Sequence, residues 1–204
     1  MNRCLVLATL LCGLSTLPVS AGIIFQDDFS SDTQGLDKTT LVNWNVLSGS
    51  NVDVGSFGAL CGPAPATCID SQGSGGNPNG DIETKSTFAL GPGSTYDLHF
   101  TWNNTGGTNS VLFQVGTFSQ LLSTATSPDG TYDLLFTIAA PIASGTIRIT
   151  DQGPADNVGV AIGHISLSSS ASTTAPEPGT FSLVLLAGAG LLAARGRLRA
   201  RQTS

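Results

Sequence analysis

Short stretches of alternating hydrophobic and polar residues recur through the middle of the chain. In residues 96–102 every second side chain is large and apolar, and the intervening ones are mostly polar. Alternation with a period of two is typical of a β-strand with one buried and one solvated face. The pattern recurs at these positions: Ile82, Thr84, Phe88 and Leu90; Tyr96, Leu98, Phe100 and Trp102; Val111, Phe113 and Val115; Tyr132, Leu134, Phe136 and Ile138; Ile147 and Ile149.

Turn-forming sequences separate these stretches. Residues 91–94, 103–107 and 127–130 are rich in Gly, Pro, Asn and Asp, which favour tight turns. No window between residues 22 and 175 has convincing helical periodicity. Many short strands joined by frequent turns predict an all-β body over residues 22–167, a two-sheet antiparallel sandwich of jelly-roll-like form.

The last predicted strand changes phase partway along. Val160 and Ile162 have the opposite parity to Ile165 and Leu167. A slip of one residue would turn the second half of the strand inside out, so an extra residue has to be absorbed. We predict a β-bulge at residues 163–164; the alternative is two separate strands with a kink at the glycine.

The first 21 residues have the three parts of a secretory signal peptide. Arg3 lies in a short polar start, an apolar run covers residues 4–17, and Pro18 is followed by small residues up to Ala21. The run is too short to cross ~30 Å of hydrocarbon comfortably. We predict a signal helix in residues 1–21, cleavage after Ala21, and passage of the rest of the chain through the secretion machinery.

The other end carries a linker, a proline motif, an apolar stretch and a basic tail. Residues 168–175 are Ser, Thr and Ala, and residues 181–194 are fourteen residues without a charge. A helix of that length is about 21 Å long, which makes it a short transmembrane helix. The arginines after it favour the cytoplasmic side of the membrane, which leaves the preceding chain outside. The motif is Pro176, Glu177 and Pro178, and the basic tail over residues 195–201 holds Arg195, Arg197, Arg199 and Arg201.

This ordered arrangement over residues 176–204 resembles the PEP-CTERM sorting signal of Gram-negative bacteria. The resemblance implies that an exosortase, a membrane transpeptidase with a catalytic cysteine, cuts near the Pro-Glu-Pro motif. It also implies passage through the inner membrane followed by release or attachment at the cell surface, and an association with exopolysaccharide. It says nothing about the chemistry of residues 22–175.

Charge is distributed unevenly along the chain. Four of the eight Lys and Arg residues lie in the last ten positions, whereas residues 22–175 contain three basic residues against thirteen acidic ones. So acidic a body excludes nucleic acid as a partner and keeps an exported protein dispersed.

Two of the four cysteines fall in the predicted signal peptide, which leaves Cys61 and Cys68. In an exported protein, two remaining cysteines are most simply one disulfide. A loop this small would gain roughly 2–3 kcal/mol from such a link. A metal site has little support here, because no further thiol exists and His99 and His164 are distant in sequence.

The familiar catalytic motifs are missing from the sequence. There is no Gly-x-Ser-x-Gly elbow, phosphate loop, His-Glu-x-x-His or Cys-x-x-Cys motif. Glu83 is the one glutamate before the sorting signal, and His99 takes a solvent-facing position in its strand. A glycan hydrolase would need a carboxylate pair, and nothing singles one out. We therefore expect a protein that is not an enzyme and needs no cofactor.

Acidic residues cluster near both ends of the body. Asp27 and Asp28 follow the first apolar residues, and Asp151 and Asp156 lie before the last strands. If these loops meet, their carboxylates can hold one Ca²⁺, which prefers oxygen ligands. The alternative is that these residues favour turns and solubility.

Sugar binding is the alternative function, because carbohydrate-binding jelly rolls stack sugar rings on exposed aromatic side chains. The large aromatic side chains are Trp44, Trp102 and Tyr132, and all three are in phase with apolar neighbours, which favours burial. We expect an exported surface or extracellular-matrix protein, with a carbohydrate-binding module as the alternative and a hydrolase third.

Overall fold

The computed structural model describes residues 22–61, 66–75 and 79–170. Over this part of the chain it is built of β-strands and one short 3-10 turn, Gly58–Cys61. The strands are β1 (Gly22–Asp27), β2 (Gly35–Lys38), β3 (Trp44–Val46), β4 (Val52–Gly55), β5 (Cys68–Asp70), β6 (Asp81–Thr84), β7 (Phe88–Leu90), β8 (Thr95–Asn104), β9 (Ser110–Val115), β10 (Phe118–Ser123), β11 (Gly130–Thr137), β12 (Ile142–Gly145), β13 (Ile147–Asp151) and β14 (Val160–Ser170).

The strands form two main antiparallel sheets. The larger sheet has the order β11-β8-β14-β5-β4-β2, with β1 also pairing with β14. The smaller sheet has the order β10-β9-β13-β6-β3, and β12 pairs with β7 apart from both. The predicted all-β antiparallel sandwich is confirmed.

Aromatic pairs join the two sheets across the main core. The ring centroids of Phe100 on β8 and Phe113 on β9 are 4.2 Å apart. At the edge, the rings of Phe136 on β11 and Phe118 on β10 stack at 4.3 Å. Such contacts bury large apolar area, and burial of this kind is the main favourable term in folding. Because side chains alternate along each strand, burying one set in this core turns the other set towards the outer face of its sheet.

The predicted bulge is confirmed. Gly163 pairs with Thr101 and Ser166 with His99, so three steps on β14 match two on β8. His164 sits at the extra position with φ +49°, in the left-handed region that few residues other than glycine adopt. Because β14 continues unbroken to Ser170, the alternative of two separate strands is wrong.

The domain boundary lies further along than the sequence suggested. β14 ends at Ser170, whereas the prediction began the linker at residue 168. Ser168 and Ser169 pair with residues of both β1 and β8. This pairing uses backbone groups, so it does not need apolar side chains. The predicted signal helix, sorting motif and apolar helix lie outside the described residues. Within those residues, no helix is both long and apolar enough to cross a membrane.

Candidate functional site

Five polar side chains form a line across the outward face of the smaller sheet. We call them the polar row: Asn45, Glu83, Arg148, Gln114 and Ser119. Each is directly opposite the next on adjacent strands, from β3 through β6, β13 and β9 to β10. Asn45 and Ser119 are exposed, and the other three are half-buried.

The alternation of each strand places the row outside. Glu83 follows Ile82, Arg148 lies between Ile147 and Ile149, and Gln114 follows Phe113. These apolar neighbours are buried in the core. Because successive residues on a strand point to opposite faces, burying the apolar ones turns the polar ones outward.

Both charged side chains of the row are held by neighbours. The Arg148 guanidinium donates from Nε to Oδ1 of Asp81 at 2.8 Å and from a terminal nitrogen to Oδ2 of the same carboxylate. These hydrogen bonds raise the pKa of Arg148 above its ordinary value. Thr146 Oγ1 donates to Oε1 of Glu83 at 2.6 Å. Both charged groups are thereby fixed on the face of the sheet.

A groove of about 430 Å³ runs over the centre of the row. Strand β12 and the turn after β9 line it beside the row. Gly116 in that turn has φ +58°, and a Cβ there would be 2.5 Å from Cδ1 of Ile142. The lining residues are Glu83, Gln114, Gly116, Thr117, Ile142, Ser144, Gly145, Thr146 and Arg148.

The larger sheet brings both histidines of the body together at the bulge. His99 and His164 line a cavity of about 240 Å³ with Gln26, Asp28 and other residues. His99 is on the solvent side as predicted, with 41% of its side chain exposed and Nδ1 2.6 Å from Oδ1 of Asp133. The hydroxyl and backbone N–H of Ser30 bond to the Asp28 carboxylate and lower its pKa.

The structure does not bring the four predicted calcium ligands together. In the described part of the chain, no three His, Cys, Asp or Glu side chains gather as a metal-binding group. Asp27 is buried and accepts hydrogen bonds from Trp44 Nε1 at 2.7 Å and from the backbone N–H of Phe29. It anchors the end of β1 to the core.

The other two predicted calcium ligands, Asp151 and Asp156, accept hydrogen bonds from residues of loops. Asp151 accepts hydrogen bonds from Ser71 Oγ at 2.5 Å, from Gln72 Nε2 and from the backbone N–H of Gly153. Burial raises the pKa of Asp151. Asp156 is exposed and accepts from the backbone N–H of Val158.

Sequence reasoning missed a partly buried carboxyl on the larger sheet. Asp70 on β5 lies directly opposite Asp53 on β4. Burial raises the pKa of Asp70 to about 6, and the negative charge of Asp53 adds to this. The Gln72 backbone N–H, which donates to Asp70 Oδ1, opposes the shift. The sequence gives Asp70 no special signal, because Thr105 and Gly159, which lie against its carboxyl group, come from distant parts of the chain.

The predicted disulfide is present between Cys61 and Cys68, whose Cα atoms are 5.3 Å apart. It ties the 3-10 turn to the start of β5. Both cysteines are fully buried and pack with Ala66 and Ala161 in a small apolar cluster of their own.

The three large aromatic side chains named in the sequence as candidates for sugar stacking face inward. Trp44 and Trp102 are fully buried. Tyr132 is half-buried; its ring packs on Phe100, and its hydroxyl donates to the carbonyl of Pro128. Among the described residues, the exposed large hydrophobic side chains are aliphatic. Pro176, Glu177, Pro178 and the four tail arginines lie outside the described residues.

No protein-family model matches the chain, and no curated protein matches it. Among solved structures, a cyclase from Fischerella sp. TAU is similar, at 17% sequence identity and a TM-score of 0.54, over 76% of this chain and 100% of the cyclase chain. The C-terminal family 22 carbohydrate binding module of Clostridium thermocellum Xyn10B matches 78% of this chain and 100% of its own, at 11% identity and a TM-score of 0.43. The first likeness shows the sandwich fold alone, and the second is too low to carry an argument.

Proposed function

We propose that this protein is exported and acts at the cell surface or in an extracellular polysaccharide matrix. Its route is secretion through the signal peptide, transit through the inner membrane, and processing by an exosortase at Pro176-Glu177-Pro178. The observation that carries the proposal is the order of segments after the sandwich: proline motif, apolar stretch and arginine tail. Arginines after an apolar stretch favour the cytoplasmic side, so the sandwich is expected outside.

The disulfide supports export. Cys61 and Cys68 are the two cysteines of the sequence that follow the predicted signal peptide, and they are joined in the folded sandwich. Disulfides form and persist in oxidising compartments and are rare in the cytoplasm. A buried disulfide is therefore consistent with folding outside the inner membrane.

We infer that the sandwich contributes contacts to the matrix and does not catalyse a reaction. Glu83 and Arg148, the charged residues at the groove, are each tied to a neighbouring side chain. Hydrogen-bonding groups on one open face suit a hydroxyl-rich polymer. Matrix association therefore needs no ligand beyond the polysaccharide itself.

The sorting step can be tested in a bacterium that has an exosortase and in its exosortase-deletion strain. In the first strain we expect a product that has lost residues after the motif, found at the surface or in the medium. Glu177→Ala combined with Arg→Ser at positions 195, 197, 199 and 201 should leave an unprocessed precursor in the inner membrane. The measurements are the intact mass of the product and its distribution between membrane, surface and medium.

The matched control replaces the same four arginines with lysine and leaves Glu177 unchanged. Lysine keeps the positive charge that sets the topology, so orientation should be retained. If both strains release the same mature product from the Glu177→Ala and Arg→Ser variant, the proposed sorting is wrong.

A further inference from the structure

We propose that the polar row is the binding site for an extended, uncharged polysaccharide whose chain lies across the strands of the smaller sheet. The inference deepens the proposed matrix function and rests on it. Its basis is the alignment of five polar side chains, one from each strand, beside a groove of about 430 Å³.

The spacing of the row suits a polymer with a regular repeat. Neighbouring strands in a sheet are ~4.8 Å apart, so five strands place polar groups along a line of about 19 Å. That step is close to the length of one sugar ring in an extended chain. Successive sugars can therefore meet equivalent hydrogen-bonding positions from Asn45 at one edge to Ser119 at the other.

The chemistry of the row matches sugar hydroxyls. Glu83 offers acceptors, Arg148 offers donors, and the carboxamides of Asn45 and Gln114 offer both. A hydroxyl group donates one hydrogen bond and accepts others, so it can satisfy each of these partners. Ser144 and Thr146, which also line the groove, add two hydroxyls of the protein's own.

The central side chains are organised before any ligand arrives. Arg148 is held by Asp81, and Thr150 Oγ1 also donates to Asp81, at 3.1 Å. Glu83 is held by Thr146. Holding side chains in place in the free protein lowers the entropy lost on binding.

The charges favour an uncharged chain over an acidic one. The positive charge of Arg148 is already paired with Asp81, and Glu83 adds a negative charge beside it. Residues 22–175 carry thirteen acidic against three basic residues. An anionic polymer would meet repulsion along the whole body, whereas a neutral polymer would not.

Affinity gel electrophoresis of the full chain tests the proposal. The protein is purified in mild detergent from the exosortase-deletion strain, so the assay does not depend on processing. The probes are hydroxyethyl cellulose, galactomannan and dextran as neutral polymers, and alginate as the acidic comparator. We expect at least one neutral polymer to retard the protein more strongly than alginate does.

Gln114→Ala should weaken that binding about three- to tenfold, because one or two hydrogen bonds are lost. Adding Ser119→Ala should weaken it further. The matched control is Gln26→Ala, which removes the same side chain from the cavity on the larger sheet and should leave binding unchanged. Thermal unfolding of each variant shows whether the sandwich is still folded.

Three results would overturn the proposal. Stronger retardation by alginate would exclude an uncharged ligand. Loss of binding in Gln26→Ala, with none in the folded Gln114→Ala and Ser119→Ala variant, would move the site to the larger sheet. Retardation by none of the polymers would exclude the site, while the mass of the processed product would still decide the proposed sorting.

Discussion

The outward faces of the two sheets differ in how much of each is covered. On the larger sheet, Ala161 and Gly163 of β14 point outward and are nevertheless buried. The 3-10 turn and the Cys61–Cys68 disulfide lie over them. The carboxamide of Asn103 fastens this cover by donating to the carbonyl of Leu60 at 2.8 Å.

On the smaller sheet, the outward positions carry longer polar side chains that reach solvent. Arg148 keeps 41% of its side chain exposed although it is paired with Asp81. Asn45 and Ser119, at the two edges, are exposed. The groove beside β12 leaves the centre of this face accessible.

Residue size accounts for the difference. A Cβ on Gly163 would be 3.0 Å from Cβ of Cys68 and 3.1 Å from Oγ1 of Thr101. The disulfide loop can therefore approach the larger sheet closely only because the outward residues of β14 are small. On the smaller sheet, Arg148 and Gln114 are half-buried and line the groove, where a ligand can reach them.

Removing the disulfide should have the largest effect on stability. In a Cys61→Ser and Cys68→Ser variant, we expect the free energy of unfolding to fall by roughly 2–3 kcal/mol, because the unfolded chain is no longer cross-linked. Urea unfolding of the two proteins measures this. Reductant should lower the midpoint of the natural protein and leave that of the variant unchanged. Equal midpoints without reductant would show that the cover does not depend on the link.

The covered face should also make stability depend on pH. Burial raises the pKa of Asp70 from 3.8 to about 6, so between these values the folded state binds a proton that the unfolded state has lost. The free energy of unfolding should therefore decrease as pH rises from about 4 to about 6, by about 2 kcal/mol after allowance for partial exposure. Burial of Asp151 acts in the same direction.

Asp70→Asn should remove most of this decrease and stabilise the protein at pH 8. The amide oxygen of Asn can still accept the hydrogen bond from the backbone N–H of Gln72. Because the amide is neutral, no charge is buried at this position at any pH. The control is Asp133→Asn on the same sheet, at a side chain that is 61% exposed, which should retain the dependence on pH. Urea unfolding at several pH values measures both; an unchanged profile in Asp70→Asn would contradict the assignment.

Local patterns predicted much of the fold because they act within one strand. Alternation identified β8, β9, β11 and β13, and the change of parity between Ile162 and Ile165 located the bulge. Cysteine counting identified the disulfide. By contrast, β4 has only two apolar residues, Val52 and Val54, which are too few to mark a strand, and the burial of all four of its residues depends on the rest of the fold.

Local sequence patterns could not predict the polar row, because the row depends on which strands are neighbours in the sheet. Glu83, Gln114 and Arg148 are about thirty residues apart along the chain, and each alone has the pattern of an ordinary solvated position. Only the register of β6, β13 and β9 aligns them. The two predicted acidic groups failed to meet for the same reason: Asp27 lies on β1 of the larger sheet and Asp151 on β13 of the smaller.

Breaking the ion pair on the open face should have the smallest effect on stability. Because Arg148 and Asp81 remain 41% and 21% exposed, water can replace much of their interaction, and Arg148→Ala should cost no more than about 1 kcal/mol in urea unfolding. Arg148→Lys keeps the charge but loses the paired geometry, and it should lie between the natural protein and Arg148→Ala. Raising the salt concentration should reduce the difference between the two variants. A loss from Arg148→Ala as large as that from removing the disulfide would mean that this face is also buried, and the contrast between the sheets would then be wrong.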